Sequence, residues 1–498
     1  MLVVSTFLMF IPIATAADGW SLVYDGRGMK AYPDLKEYVW QKNASAPPHT
    51  AYDKIGLHRL VKTGITSKAA VFICPEQSSS GEEYVSNPPS DNTTKYESQS
   101  QAIYWANRDF DVYVMDFRWN FVPNDLDITQ LSFMAEWSRD TWMSDMKEAI
   151  NKVKEVSGVS KVFIVGYSGG GASAVNYAAK YWQDDARGII LLSPWAPSSL
   201  PTVLAKRGNE TNTYNLTKQI NTMFSAGNWS TENLPLWITL TLKYALENPS
   251  GPAVNQSSGQ PVLPPTNPTT GKTWTNVTEY FAFVFNMLGF SNVYGGYGNL
   301  TLLMQHYAYK PIGDRWVPAR FALEDAAMMD WVNCPYLPYD FDDHYEDINV
   351  PVLAFVGSFS QNSTGTFRFV NGIGSSDLTG VMLKNYGHYD IFFGPYAVRD
   401  VSQPALNWMN GELTGFKATA FCDVTVLPGW TWNFFAHSVG GIGTHTYQWY
   451  EDTTPIQGQT SMILSITKNT PGVYTYYCKV TDSEGTTTNS NIVTLTVR

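Results

Sequence analysis

The sequence predicts an α/β architecture: a mostly parallel sheet with helices on both faces, interrupted by a large insertion and followed by an all-β sandwich. Three observations carry that expectation. Short apolar runs of strand length alternate with helical patterns between about residues 69 and 192, and the alternation resumes near residue 350. One of those runs ends in a glycine-flanked serine and passes at once into an alanine-rich helical pattern. From about residue 416 the texture changes to closely spaced strands rich in Thr, Val and Tyr.

The elements follow in order. Residues 18–65 hold short strand-like pieces, SLVYDG and KIGLHRLVKT. AAVFIC at 69–74 is a continuous apolar run, as a strand buried on both faces requires. Residues 102–107 read as helix, and DVYVMD at 111–116 as a second buried strand. Over 137–156 the apolar residues Trp142, Met146, Ile150 and Val153 recur at helical spacing. VFIV at 162–165 is the strand that leads into Gly166-Tyr167-Ser168-Gly169-Gly170, and GIILL at 188–192 is the next. Between 193 and about 346 the rhythm breaks into Pro- and Asn-rich loops (251–270) and aromatic helical pieces (277–288, 320–332). That length is too great for a loop, and a cap or lid inserted over the sheet is the economical reading. Its aromatic content suits an apolar acyl or aryl pocket as well as a plain second core. Strands return at 350–356 and 379–383, and a closing helix spans 403–409. In the sandwich, Trp449 is expected between the sheets, and Tyr476 stands two residues before Cys478, as in a tyrosine corner. Cys422 precedes Trp449 by 27 residues, too far for the usual inter-sheet cysteine.

Length and composition set outer limits. A chain of 498 residues exceeds one ordinary domain. A net charge of −11 without any basic run argues against a nucleic-acid surface or an anionic membrane face. Residues 2–13 are apolar and Ala14-Thr15-Ala16 supplies a small-x-small cleavage pattern, so 1–16 is expected to be a signal peptide. No stretch is long enough for a transmembrane span, and an extracellular or cell-surface protein is expected. Nine N-x-[S/T] acceptors, at Asn43, Asn92, Asn209, Asn215, Asn228, Asn255, Asn276, Asn299 and Asn362, fit an exported glycoprotein. Four cysteines favour within-domain pairing, Cys74 with Cys334 and Cys422 with Cys478. Nothing in the sequence forms a G-x-G-x-x-G, a P-loop or a metal motif, so no cofactor is expected.

The chemistry concentrates at Ser168. Flanking glycines let the chain turn tightly between strand and helix, and the first turn of that helix aims its N–H groups where an oxyanion would form. A serine hydroxyl needs a base that takes its proton as it attacks. Of seven histidines, His437 and His445 belong to the sandwich, His49 and His58 precede the sheet core, and His306 and His344 lie in the insertion. Only His388, in Tyr386-Gly387-His388-Tyr389-Asp390, follows the last strand of the sheet.

This order, with GYSGG at 166–170, VPVLAFVG at 350–357 and NYGHYDIFFG at 385–394, resembles the α/β-hydrolase superfamily over roughly residues 20–412, in its secreted esterase- and lipase-like form. The C-terminal segment resembles the Ig-like or PKD-like modules of microbial surface proteins, archaeal ones among them. The resemblance implies a hydrolase domain at 18–415 with a cap at about 193–346, and an Ig-like domain at 416–498. It implies Ser168 as nucleophile, His388 as base, and the backbone N–H groups of Gly169 and Gln77 as the oxyanion hole. Glu76 stands where the family commonly has glycine, and its carboxylate would repel an oxyanion unless it points away. Asp116 matches a recurrent family position of structural character.

The superfamily's acid usually follows the strand at 352–356, but GSFSQNSTG there contains none. Asp377 is the only carboxylate between Phe355 and His388 and is the candidate third member. Asp340, Asp342, Asp343, Glu346 and Asp347 are rivals, and Asp390 is expected to make local hydrogen bonds. The implied function is hydrolysis of a small-molecule or lipid carboxylic ester through an acyl-enzyme, with surface or glycan contact through the Ig-like domain. A serine peptidase or acyltransferase, and a non-catalytic adhesion protein with a degenerate site, are the alternatives.

Overall fold

The computed structural model describes residues 19–77, 79–86, 95–194, 216–232, 235–294, 297–309, 315–321, 324, 342–360, 366, 369–421 and 423–498; the expected leader lies outside them. Nine strands form one sheet: β1 (Ser21–Met29), β2 (Tyr32–Asn43), β3 (Lys54–Lys62), β4 (Ala70–Cys74), β5 (Asp111–Asp116), β6 (Val162–Tyr167), β7 (Ala186–Leu192), β8 (Val352–Gly357) and β9 (Leu378–Leu383). Their spatial order is β1-β2-β3-β5-β4-β6-β7-β8-β9. Pairing is antiparallel from β1 as far as β5 and parallel from β5 to β9. The central strands β4, β5 and β6 are buried at every residue, which is why they read as unbroken apolar runs. β2 escaped the sequence reading because its inward face carries a charge: Glu37 sits buried between Leu35 and Val39.

Helices α1 (Gln101–Ala106), α2 (Arg139–Ser157) and α3 (Gly169–Asp185) cover the sheet. The α2 pattern begins where Ser138 and Thr141 form a reciprocal cap and ends at Gly158 in the left-handed conformation. It buries Trp142 fully beside Trp119, Trp137 and Phe117. Truncating such a ring to alanine costs about 3–5 kcal/mol.

The insertion contributes α4 (Leu216–Ser225), α5 (Leu236–Glu247), α6 (Val277–Met287) and α7 (Leu300–Ala308), plus a short antiparallel pair, Ser230–Glu232 with Trp316–Pro318. The helical piece expected at 277–288 is α6; that at 320–332 falls largely outside the described residues. Phe281, Phe285, Leu303 and Met304 of α6 and α7 join the apolar cluster that holds Tyr167, Tyr386 and Tyr389. The insertion therefore packs against the end of the sheet where Ser168 emerges. Helix α8 (Gln403–Thr414) closes this part of the chain, stopping at Gly415 with φ 68°.

The C-terminal region consists of two sheets. One has three antiparallel strands (Lys417–Phe421, Thr431–Val439, Ile463–Thr467) and the other six, antiparallel except where Val424–Val426 runs parallel to Val493–Val497. Trp449 is fully buried, as expected, and donates from Nε1 to the Ser461 carbonyl at 2.9 Å. Tyr476 departs from the expected corner. Its ring lies against Phe434 in the core, and its hydroxyl has no hydrogen-bond partner among the described residues. Cys74 and Cys478 are buried free thiols, while their expected partners Cys334 and Cys422 lie outside the described residues. No helix among the described residues is long and apolar enough to cross a membrane.

Candidate active site

Ser168 is the turn residue between β6 and α3, with φ 54° and ψ −123°. A non-glycine residue there carries strain of about 1–3 kcal/mol, which the surroundings must hold. The Ser168 amide donates to the Leu192 carbonyl at 3.2 Å, and the Gly171 amide closes back onto the Ser168 carbonyl at 2.9 Å. A Cβ on Gly170 would lie 2.2 Å from the Cys74 and Pro75 carbonyl oxygens, so only glycine lets α3 press against the end of β4. The same approach brings Gln77 alongside: a Cβ on Gly169 would sit 3.6 Å from the Gln77 amide nitrogen. The two amides expected to hold an oxyanion are thus neighbours.

His388 comes from the loop after β9, and its Nε2 lies 2.9 Å from Ser168 Oγ. That loop is tied to the insertion. The His388 and Tyr389 amides donate to the carbonyls of Gly289 (2.9 Å) and Phe290 (2.7 Å). Asp390, expected to bond locally, accepts from Gly387 N (2.7 Å) and reaches the insertion through Ser291 Oγ (2.6 Å) and Asn292 N (2.9 Å). The Tyr167 ring stacks on the imidazole at 5.1 Å between centroids.

The far side of the imidazole corrects the sequence reading. His388 Nδ1 meets the hydroxyl of Ser193 at 2.9 Å, and among the described residues no carboxylate hydrogen-bonds that nitrogen. Ser193 is the first residue after β7, buried, with φ 42°; its amide donates to the Phe355 carbonyl at 2.7 Å, and its hydroxyl lies 3.4 Å from Ser360 Oγ. Asp377 is elsewhere. It pairs with Lys417, and it lines a cleft of about 630 Å³ between β9 and the C-terminal strands. The reason is topological. Asp377 precedes a strand that runs parallel to β6 through β8, whereas Ser168 and His388 follow their strands. A six-residue strand of roughly 20 Å separates the two ends of the sheet. Of the rivals, Asp347 pairs with His344 at 2.9 Å, Glu346 is exposed, Asp340 lies outside the described residues, and the side chains of Asp342 and Asp343 are not described. The only signal for Ser193 was its place directly after the strand next to the nucleophile strand.

Burial pushes the His388 pKa down to about 4, against a weaker upward pull from the Glu76 charge. The ring is neutral at neutral pH. In the tautomer with hydrogen on Nδ1, Nε2 accepts the Ser168 proton and Nδ1 donates to Ser193. Asp116 is structural, accepting from His58 Nε2 at 2.9 Å and Gly81 N at 2.7 Å. Glu76 is buried, and its carboxylate meets the hydroxyls of Ser79 (2.8 Å) and Tyr389 (2.6 Å) and His306 Nε2 (3.1 Å). Those contacts engage both of its oxygens. Two clusters, Glu37–His58–Glu82 and Glu76–Glu83–His306, each bring three metal-ligating atoms within 4.8 Å of one another. In both, the imidazole nitrogens already face carboxylate oxygens, contacts that a cation would have to replace.

Comparisons with known proteins bear on the fold. The family profile Hydrolase_4, described as serine aminopeptidase, S33, matches residues 93–224, a span that includes Ser168 and Ser193. No curated protein matches the chain. A crystal structure of a candidate lipase from Sulfolobus solfataricus is 26% identical with a TM-score of 0.61, covering 79% of this chain and 99% of that one. A thermostable carboxyl esterase from Bacillus coagulans (11% identity, TM-score 0.38, 79% and 99% coverage) and a monoacylglycerol lipase from Paleococcus ferrophilus (15%, 0.39, 72% and 99%) are more distant. The chain has the α/β-hydrolase fold and is an enzyme of the esterase- and lipase-like kind.

Proposed function

We propose that this chain is a serine hydrolase that cleaves carboxylic esters through a Ser168–His388–Ser193 relay. The observation that carries the reading is the 2.9 Å contact between Ser168 Oγ and His388 Nε2 on a strained strand-to-helix turn. Ser168 Oγ attacks the ester carbonyl as His388 Nε2 takes its proton, and the Gly169 and Gln77 amides hold the tetrahedral oxyanion. The intermediate collapses to an acyl-serine as the imidazolium returns the proton to the leaving alkoxide. A water molecule, deprotonated by His388, then releases the acid and restores Ser168. Ser193 accepts from Nδ1 throughout and so fixes the tautomer; it brings no charge to stabilise the imidazolium. A fluorophosphonate probe should label the folded protein at Ser168, and Ser168→Ala should remove both labelling and ester turnover. A folded wild-type protein that neither labels nor turns over would instead be the non-catalytic adhesion protein.

A serine peptidase is the second reading, favoured by the description of the matching family profile. Paired ester and aminoacyl-amide substrates separate the two: turnover of the amide at a rate comparable to the ester would favour the peptidase. The apolar residues of α6 and α7 beside Tyr389 favour an ester with an apolar acyl or aryl group. We also read the enzyme as exported and glycosylated, with the C-terminal sandwich acting as an Ig-like or PKD-like contact module for a surface or glycan. The leader pattern at 1–16 and the nine acceptor sites support that. A secreted product whose first residue is Ala17 would agree; intracellular retention of the full-length chain would not.

A further inference from the structure

We propose that Glu76 is a positioning residue for the oxyanion loop, held by His306 of the insertion and Tyr389 of the histidine loop, so that seating the insertion completes the anion site. The inference rests on the serine-hydrolase reading and adds to it a coupling between two parts of the chain.

The loop that leaves β4 carries Glu76, Gln77, Ser79 and Glu83. On the core side it is fixed by the Asp116 carboxylate, which accepts from Gly81 N at 2.7 Å, and by Asn120 Nδ2, which donates to the Ser79 carbonyl at 3.1 Å. On the site side the anchors come from α7. His306 Nε2 lies 3.1 Å from Glu76 Oε1, and its Nδ1 lies 3.4 Å from Glu83 Oε2. The ring thus stands between two buried carboxylates of the loop and joins both to α7. Ser79 Oγ lies within hydrogen-bond distance of the same two carboxylates.

The next residue of α7 extends the connection. The Tyr307 hydroxyl bonds the Tyr389 hydroxyl, and Tyr389 donates to Glu76 Oε2 at 2.6 Å. Glu76 and Tyr389 are the chain neighbours of Gln77 and His388. Both halves of the reaction apparatus, the amide for the oxyanion and the base, are therefore one residue away from a contact with α7. The cluster borders a cavity of about 30 Å³, large enough for water. Glu76 is not a catalytic residue here: its carboxylate faces the insertion, and it acts by holding the neighbouring Gln77 amide in place.

The test uses the full chain carrying His306→Gln, Glu76→Gln, or both. Melting temperature is measured with kcat and KM on a chromogenic ester and with the rate of fluorophosphonate labelling at Ser168. Loss of one oxyanion donor lowers kcat by about 10²–10³-fold, so a loosened donor is expected to lower kcat and labelling by about 10- to 100-fold. KM should stay within about threefold, and the double variant should be no slower than the slower single. A folded His306→Gln protein with wild-type kcat overturns the inference, as does a lowered melting temperature with unchanged kcat. Should His306→Gln fail to fold, Tyr389→Phe removes only the hydroxyl link. A smaller loss of kcat at constant KM supports the inference, and an unchanged kcat overturns it. Wild-type protein that neither turns over nor labels defeats the hydrolase reading itself; active wild type with indifferent variants defeats only the coupling.

Discussion

His58 and His388 lie in one domain, each with both ring nitrogens hydrogen-bonded, and they are tuned in opposite directions. His58 is clamped between Glu37 (2.7 Å) and Asp116 (2.9 Å). Burial works against its charge, but the charge and hydrogen bonds of Asp116 and Glu37 win, and its pKa is raised well above the usual value. His388 lies between the hydroxyls of Ser168 and Ser193, and burial prevails. The difference teaches that the partner atom sets the role. Carboxylates make the first ring a cationic strut joining β2, β3 and β5; hydroxyls leave the second neutral and able to accept a proton.

The largest effect expected in testing that comparison is at the neutral ring. Ser168→Ala should lower ester turnover by about 10³-fold or more with little change in melting temperature, checked by steady-state kinetics beside a thermal scan. The strut should respond in the other currency. His58→Gln leaves buried Asp116 without its cation and Glu37 with Arg27 alone, and should destabilise the fold by about 3–5 kcal/mol, read from denaturant midpoints, while folded molecules keep their kcat.

Stability against pH sharpens the contrast. His58 has a folded pKa above the unfolded value of about 6.5, so its contribution is complete below that pH and is lost as pH rises through the folded value. His388 has the opposite sign. The unfolded chain binds its proton more readily, so stability falls as pH drops from about 6.5 toward about 4. His58→Gln should flatten the alkaline decline, and His388→Gln the acid one; identical pH–stability curves for both variants would break the comparison.

Smaller effects are expected at Ser193. Ser193→Ala removes one hydrogen bond of about 1 kcal/mol and should lower kcat roughly fivefold to tenfold. Ser193→Asp, at a left-handed position that aspartate tolerates, places a carboxylate on Nδ1 and makes His388 resemble His58. The acid limb of kcat/KM should then move up by roughly one to three units from a wild-type value near pH 4. An acid limb near 6.5 in the wild type would mean that Ser193 does not isolate the ring from charge.

Much of this protein was legible in its sequence. The buried strands β4 to β8 announced themselves because a parallel sheet covered on both faces needs unbroken apolar runs. Ser168 was readable because it stands on a glycine-flanked turn directly after such a run, and His388 because it follows the last strand of the sheet beside Gly387. Those are local demands, met by neighbours in the chain. What only the tertiary structure decided was the partnership across it. Ser193 rather than Asp377 faces His388 because a residue after one parallel strand meets residues after the others, and a residue before a strand lies at the opposite end of the sheet. Glu76 and Glu37 read as misplaced charges until His306 and His58 arrive from distant segments. Composition and periodicity record how each segment satisfies itself; a buried charge or a shared proton is satisfied by whichever element the fold brings alongside, and no local pattern encodes that.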